Sequence, residues 1–401
     1  MIGTVCNLFS GISISVLFFL TPLVNAQEEH NRIPVDNNVG IVYQAGKVLQ
    51  TNDFVAGENS SGNKIDYFQS LRLEYGVKTN GSKLWHQLYA YPEWGVGLYF
   101  ANFFNKAELG TPTAFYGYFK GPFKRWKKIS FNYLLGFGLT WNWQPYDNEA
   151  NPFNIAIGSY KTVYIDAGLS LDWKIARRLS AIFGASFTHF SNGATAVPNM
   201  GLNLAAPFIG LKYDLKSEVP PPVVRDEIPE YLDNWEVMFI ASGGLKQVEF
   251  DTTSTGLSTK YLGVTYGVFS LMPTINRQIS HKVKFGAGLD VAYDGSTNAQ
   301  IDIARSEEQN AIVPADVPFI EKWSLSIFGS FELVAGRISL ILQPGYTFLR
   351  KEIEGQKPAF YQRAGLRYFI WKDLFLGINI RAHNFGQADY IEWNAGWRIR
   401  Y

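Results

Sequence analysis

Between residues 127 and 142 the chain shows a clear alternation. Ile129, Phe131, Tyr133, Leu135, Phe137, Leu139 and Trp141 share one parity, and Ser130, Asn132, Gly136, Gly138 and Thr140 the other. Successive side chains of a β-strand point to opposite faces, so this segment has one continuous apolar face and one small or polar face. A strand of a soluble sandwich hides its apolar face and exposes charge on the other. Here the second face is Gly, Ser and Asn with scattered charges, the pattern of a strand that is apolar toward lipid and polar toward an enclosed lumen.

The same alternation recurs along the chain. Before a proline-rich stretch it predicts eight strands, over about 38–50, 66–79, 92–105, 109–121, 127–142, 159–174, 177–192 and 202–215. Ser217 to Asn234 (SEVPPPVVRDEIPEYLDN) follows, and proline cannot join a ladder, so this is a linker. Eight further strands are predicted over about 235–249, 259–274, 280–294, 320–334, 336–349, 359–371, 373–384 and 388–401. The last of these sets Ile391, Trp393, Ala395, Trp397, Ile399 and Tyr401 against Glu392, Asn394, Arg398 and Arg400. A terminal aromatic strand of that kind looks like the assembly signal of bacterial outer-membrane proteins.

The fold expected is all-β, an outer-membrane antiparallel β-barrel type with two eight-stranded barrels in tandem; one sixteen-stranded barrel is the alternative. An even strand number returns the chain to its starting side, so the N-terminus and the linker are both periplasmic. The short Ile175–Arg178 turn suits that side and the longer 143–158 segment suits the outside. The 80–91 connection is longer than a periplasmic turn needs.

Composition agrees. The 401 residues are 47% hydrophobic with a mean hydropathy of −0.06, too apolar for disorder. Past the N-terminus no run approaches the ~20 apolar residues of a spanning helix. A net charge of +1 gives no electrostatic case for nucleic acid. Residues 1–26 read as a signal peptide, apolar from Ile14 to Leu20 and ending Val24-Asn25-Ala26; a retained anchor is the alternative. The single cysteine, Cys6, lies inside that segment, so the mature chain would carry no disulfide.

One constellation carries chemistry. Parity places His189 and Ser191 on the apolar face of the seventh strand with Leu179, Phe183 and Phe187, and Asn203 on the apolar face of the eighth with Ala205, Pro207 and Ile209. Residues two apart on a strand are neighbours, and hairpin partners share faces, so imidazole, hydroxyl and amide converge near the outer-leaflet end, facing lipid. Polar groups there are costly unless paired, which makes them a functional candidate. The plainer reading is ordinary rim residues in the wet headgroup region.

The stretch His189-Phe190-Ser191-Asn192 followed by Pro198-Asn199-Met200-Gly201-Leu202-Asn203 resembles the His-x-Ser-Asn…Pro-Asn-x-Gly motif of the outer-membrane lipid A 3-O-deacylases and the related acyloxyacyl hydrolases. Trp85–Gly97 and Tyr146–Ser159 also resemble that broader family. The likeness spans about residues 38–216 and is specific around 185–203. It implies an eight-stranded barrel with a lipid-facing site in which Ser191 is the nucleophile and His189 the base. Asn192 and Asn199 would shape the oxyanion hole. The family's deacylases have a glutamate where this chain has Asn203. An asparagine carbonyl can still orient an imidazole, but it brings no full charge. Asp166 and Asp172 have lumen parity and cannot substitute.

The domains expected are therefore 1–26 signal peptide, 27–216 deacylase-like barrel, 217–234 periplasmic linker and 235–401 second barrel. No catalytic role falls to the second half. Its His383 has lumen parity beside Arg381, and Phe385 stands where a serine would be needed. Arg363, Arg367, Arg381, Arg398 and Arg400 share lumen parity with Glu392, which predicts an interior held by ion pairs. His30, His86 and His281 have no metal-ligand spacing, and neither a phosphate-binding glycine loop nor a GxSxG elbow occurs.

Three functions follow: a serine esterase removing an ester-linked acyl chain from lipid A or a related glycolipid, a non-catalytic structural or partner barrel, and a porin-like channel. The first needs no metal or other cofactor. Expected partners are lipid A or a related glycolipid, outer-membrane lipids and the assembly machinery during biogenesis; homo- or hetero-oligomerisation is left open. The expected location is the outer membrane of a Gram-negative bacterium.

Overall fold

A computed structural model describes residues 36–215, 227–250, 255–309, 315–353, 355–384 and 386–401. The predicted signal segment with Cys6, His30, most of the proline-rich stretch and Phe385 lie outside them.

The alternating segments form strands as the periodicity requires. In the first half these are β1 (Asp36–Val48), β2 (Tyr67–Lys78), β3 (Glu93–Asn102), β4 (Gly110–Arg125), β5 (Ile129–Trp143), β6 (Thr162–Lys174), β7 (Leu179–Ser191) and β8 (Leu202–Asp214). In the second they are β9 (Asn234–Lys246), β10 (Tyr266–Gln278), β11 (Val283–Asp294), β12 (Trp323–Ala335), β13 (Ile338–Leu349), β14 (Phe360–Trp371), β15 (Leu374–His383) and β16 (Gln387–Arg400). Within each half every strand pairs antiparallel with the next, β1 closes on β8, and β9 closes on β16. Two closed eight-stranded barrels result, and the sixteen-stranded alternative is not formed. Closure removes the sheet edges that would otherwise invite pairing with other chains. Among the described residues no helix is long and apolar enough to cross a membrane.

Outward positions keep the apolar parity, with Ile41, Leu73, Leu135, Leu169, Phe183 and Ile209 exposed in the first barrel and Phe239, Leu271, Leu289 and Trp397 in the second. Inward positions fill the lumen. Tyr99, Tyr116, Tyr164, Phe190, Leu202 and Leu204 form the core of the first barrel. Gly97 leaves the space that Tyr116 occupies, since a Cβ there would lie 2.4 Å from its ring. Charges flank this plug: Arg72 meets Asp166 at 3.1 Å, and Lys212 joins Asp172 at 2.7 Å and Glu93 at 3.2 Å.

The second lumen is an ion-pair lattice, as parity predicts. Arg363 lies between Asp290 at 2.8 Å and Glu392 at 2.7 Å; Arg367 meets Glu332 at 2.7 Å and Lys284 meets Glu236 at 2.7 Å. Arg400 departs from the expectation. It has lumen parity, but it is the last strand residue and sits at the open end with its side chain 54% exposed.

Two connections also differ from the sequence reading. Residues 259–261 end a helix, Thr255–Tyr261, and the strand starts only at Tyr266. Leu257 and Tyr261 pack on Ala299 and Ile303 of a second helix, Thr297–Gln309, and this capping core competes with strand extension. The long 80–91 connection contains a helix, Leu84–Leu88, whose neighbourhood touches the second barrel. Tyr89 Oη donates to Val334 O at 2.8 Å, and Lys282 Nζ lies 5.1 Å from the Tyr89 ring centre. That contact explains why it is longer than a minimal turn.

Candidate functional site

The β7–β8 ladder opposes His189 to Asn203 and Phe190 to Leu202. Phe190 and Leu202 enter the aromatic core, and the alternate parity turns His189 and Asn203 outward together. Their side chains meet, with His189 Nδ1 2.7 Å from Asn203 Oδ1. Asn203 is itself held from β1's end: its Nδ2 donates to Thr51 Oγ1 at 3.0 Å, and Leu49 N–H donates to its backbone oxygen at 2.8 Å. With Nδ2 engaged by Thr51, the amide oxygen faces the ring. An amide oxygen at that distance accepts from a proton on Nδ1, the tautomer in which Nε2 keeps its lone pair.

Ser191 closes β7, and the chain returns to β8 through residues 192–201. Gly193 N–H donates to Ser191 Oγ at 3.3 Å. Asn192 N–H donates to Asn199 Oδ1 at 3.0 Å, and Asn192 Nδ2 donates to Ala196 O at 2.9 Å. Asn199 Nδ2 and Asn192 Oδ1 are buried without a hydrogen-bond partner among the described residues. The loop's far end is stitched to the 144–161 crossover, where Met200 N–H and Gly201 N–H donate to Ile155 O and Ala156 O, each at 3.0 Å. Asn52 Nδ2 donates to Gly201 O at 3.0 Å. Gly201 has φ +74°, and a Cβ on it would lie 2.9 Å from His189 Cε1, so the loop can pass the imidazole only with glycine there.

The structure thus gathers all five residues singled out from the sequence. It corrects their setting. Parity predicted a cluster open to lipid, but Ser191 is only 4% exposed, and Gly201 of the 192–201 loop passes so close that a Cβ on it would lie 3.6 Å from Ser191 Cβ. No hydrogen bond joins His189 to Ser191 among the described residues; Ser191 Oγ is occupied by Gly193 N–H instead. Asp166 and Asp172 are lumenal, as expected, on Arg72 and on Lys120 and Lys212. His383 points inward, its Nδ1 3.1 Å from Phe360 O. Sequence reasoning missed Thr51, Asn52 and the contact role of Gly201. The first two lie 152 and 149 residues from their partners, and no local spacing signals such pairs.

The site thus holds a hydroxyl, an imidazole whose Nδ1 meets an amide oxygen, and, on Asn199, an amide donor with no partner among the described residues.

Comparison with known proteins locates the chain. No curated protein sequence matches it. Among solved structures, CdiB from Acinetobacter baumannii aligns at 8% identity and a TM-score of 0.18, over 91% of this chain and 60% of that one. CdiB from Escherichia coli aligns at 10% identity and 0.21, over 94% and 64%. An outer membrane channel from Pseudomonas putida F1 aligns at 10% identity and 0.19, over 94% and 100%. The chain spans less than two thirds of either CdiB, and likenesses of this degree carry no functional weight. Family models are specific: residues 69–212 match lipid A 3-O-deacylase (PagL), and residues 235–401 match the acyloxyacyl hydrolase C-terminal domain. The two matches divide at the proline-rich stretch between the barrels and together cover most of the chain, which belongs to the lipid A 3-O-deacylase and acyloxyacyl hydrolase family.

Proposed function

We propose that the chain is an outer-membrane serine esterase that removes an ester-linked acyl chain from lipid A or a related glycolipid. The observation that carries this reading is the 2.7 Å contact between His189 Nδ1 and Asn203 Oδ1, with Ser191 two residues further along the same strand. Membership of a lipid A deacylase family supports lipid A as the substrate class.

In the proposed reaction Ser191 Oγ attacks the ester carbonyl carbon while His189 Nε2 takes the hydroxyl proton. The carbonyl π pair moves to oxygen, where Gly193 N–H, which lies 3.3 Å from Ser191 Oγ, and the unpaired Asn199 Nδ2 would receive it. Collapse breaks the bond to the sugar oxygen, which leaves with the proton from His189. Water then attacks acyl-Ser191 with His189 again as base, releasing a fatty acid and restoring the serine. Oxyanion donors of this type are each worth about 10²–10³ in kcat. Because Ser191 is covered, substrate entry requires the 192–201 loop to yield.

We further propose the arrangement predicted from the sequence: a cleaved leader over 1–26, a deacylase barrel over 27–216, a periplasmic linker over 217–234 and a second barrel over 235–401. The site then lies at the outer leaflet of a Gram-negative outer membrane, reached by way of the assembly machinery that reads the terminal strand. A second reading, a barrel without catalysis, draws on Asn203, which supplies no carboxylate to the imidazolium. The porin-like reading required the single large barrel and falls with it.

The test is lipid A mass spectrometry from bacteria carrying the protein in their outer membranes. Wild type is expected to yield lipid A lighter by one acyl chain, and Ser191→Ala unmodified lipid A from an equally well inserted barrel. Unmodified lipid A from inserted wild type would favour the second reading.

A further inference from the structure

The sequence assigns the second barrel no catalytic role, yet it grips the loop that carries the proposed oxyanion donors. Gln247, the first residue after β9, does so twice. Its backbone N–H donates to Ala194 O at 3.0 Å, and its side-chain Oε1 accepts Val197 N–H at 3.0 Å. Beside it, β16 supplies Ile391, which fills the position next to Gly193 so closely that a Cβ there would lie 2.4 Å from Ile391 Cγ1.

These contacts bracket the functional part of the loop. Asn192 and Gly193 lie just before Ala194, and Asn199 lies just after Val197. The loop's own backbone does not favour this course. Gly193 has φ +63° and Ala194 φ +58°, consecutive left-handed residues of which the second carries a Cβ. An alanine in that conformation needs support from outside the loop, and Gln247 N–H on Ala194 O supplies it. Among the described residues the hydrogen bonds from the first barrel's own connections fall on the far end, through Met200 and Gly201 on Ile155 and Ala156 and Asn52 on Gly201, while Gly158 packs close to Ala196 and Pro198.

We infer that the second barrel serves as a positioning scaffold for the deacylase site, with Gln247 as the positioning residue that holds loop 192–201 so that Asn192 and Asn199 keep their mutual hydrogen bond beside Ser191. The inference rests on the serine-esterase reading for its catalytic consequence, although the grip on the loop does not depend on it. Gln247 touches neither Ser191 nor His189, so its action is through the loop alone. An acceptor at Oε1 is what Val197 N–H requires, and a carboxylate can also provide one.

The experiment uses the full chain inserted in outer membranes or reconstituted vesicles, as wild type, Gln247→Ala and Gln247→Glu, with lipid A as substrate. Hydrogen-exchange mass spectrometry of the 192–201 segment is run alongside. The expected result for Gln247→Ala is about a tenfold fall in kcat at nearly unchanged KM, faster amide exchange confined to 192–201, and unaltered barrel stability. Gln247→Glu is expected to restore most of the kcat and the protection. Wild-type kcat and exchange in Gln247→Ala would overturn the proposal, and so would a loss in Gln247→Ala that Gln247→Glu does not repair. If wild type itself leaves lipid A unchanged, the esterase reading fails. The exchange data alone then decide whether Gln247 holds the loop, and unchanged exchange in Gln247→Ala overturns this proposal separately.

Discussion

Asn203 presents its amide oxygen to His189 Nδ1 at 2.7 Å, at the position where the motif resemblance implies a glutamate. On the proposed serine-esterase reading, Asn203 would orient the base without supplying the charge that stabilises its protonated form. In serine proteases, Asp→Asn in the equivalent role costs about 10⁴ in kcat, largely because the wrong tautomer is held. Here Thr51 occupies Nδ2 and so turns the oxygen toward the ring, which selects the useful tautomer.

Asn203→Glu is accordingly expected to raise kcat on lipid A, by at least about tenfold, since a carboxylate adds attraction to the imidazolium that forms in the transition state. Asn203→Ala is expected to lower it by a similar factor. Initial rates of fatty-acid release from purified lipid A in mixed micelles check both, and equal rates for all three proteins would remove Asn203 from the mechanism.

Thr51→Val keeps the side-chain shape and deletes the hydroxyl that Asn203 Nδ2 meets at 3.0 Å. One lost hydrogen bond, about 0.5–1.5 kcal/mol, corresponds to roughly a two- to tenfold fall in kcat. The effect is expected in kcat rather than KM, because Thr51 orients the base through Asn203. In the Asn203→Glu background the same substitution is expected to matter less, as a carboxylate has no wrong face.

Gly201→Ala places a Cβ 2.9 Å from His189 Cε1 at a residue with φ +74°. The left-handed backbone costs an alanine about 1–2 kcal/mol, and the imidazole must move. Loss of most lipid A deacylation is expected, with the barrel still folded by its gel-mobility shift on heating. Full activity in this variant would show that the loop passes His189 differently.

Arg363→Met leaves Asp290 and Glu392 facing each other without the guanidinium that lies 2.8 and 2.7 Å from them. Removing one partner of a buried ion pair costs about 3–5 kcal/mol. Urea unfolding of the reconstituted protein is expected to show that loss in the second barrel. Loosening of the 192–201 loop should accompany it only where the second barrel has actually unfolded.

Much of this architecture was legible from side-chain parity. The run Ile129 to Trp141 announced a strand, the prolines after Ser217 divided the chain, and Glu392 with Arg363 and Arg367 announced a paired interior. Parity also brought His189 to Asn203, because hairpin partners share a face. It failed where local order depends on packing from elsewhere. The segment ending at Tyr261 became helix because Leu257 and Tyr261 found Ala299 and Ile303, nearly forty residues on. The 80–91 connection took its length from a contact with Val334.

Alternation, turn residues and the His-x-Ser-Asn motif act over a few residues, so the sequence by itself determined strand number, the facing of most strand side chains and the identity of the candidate site. Only the tertiary structure decided that the sheet closes twice rather than once, because closure depends on which distant strand β1 and β9 meet. It also decided that Thr51 orients Asn203, that Ser191 is covered, and that Gln247 reaches the site loop from the other barrel. Those relations join residues far apart in the chain, and no periodicity records a hydrogen bond whose two partners share neither strand nor turn.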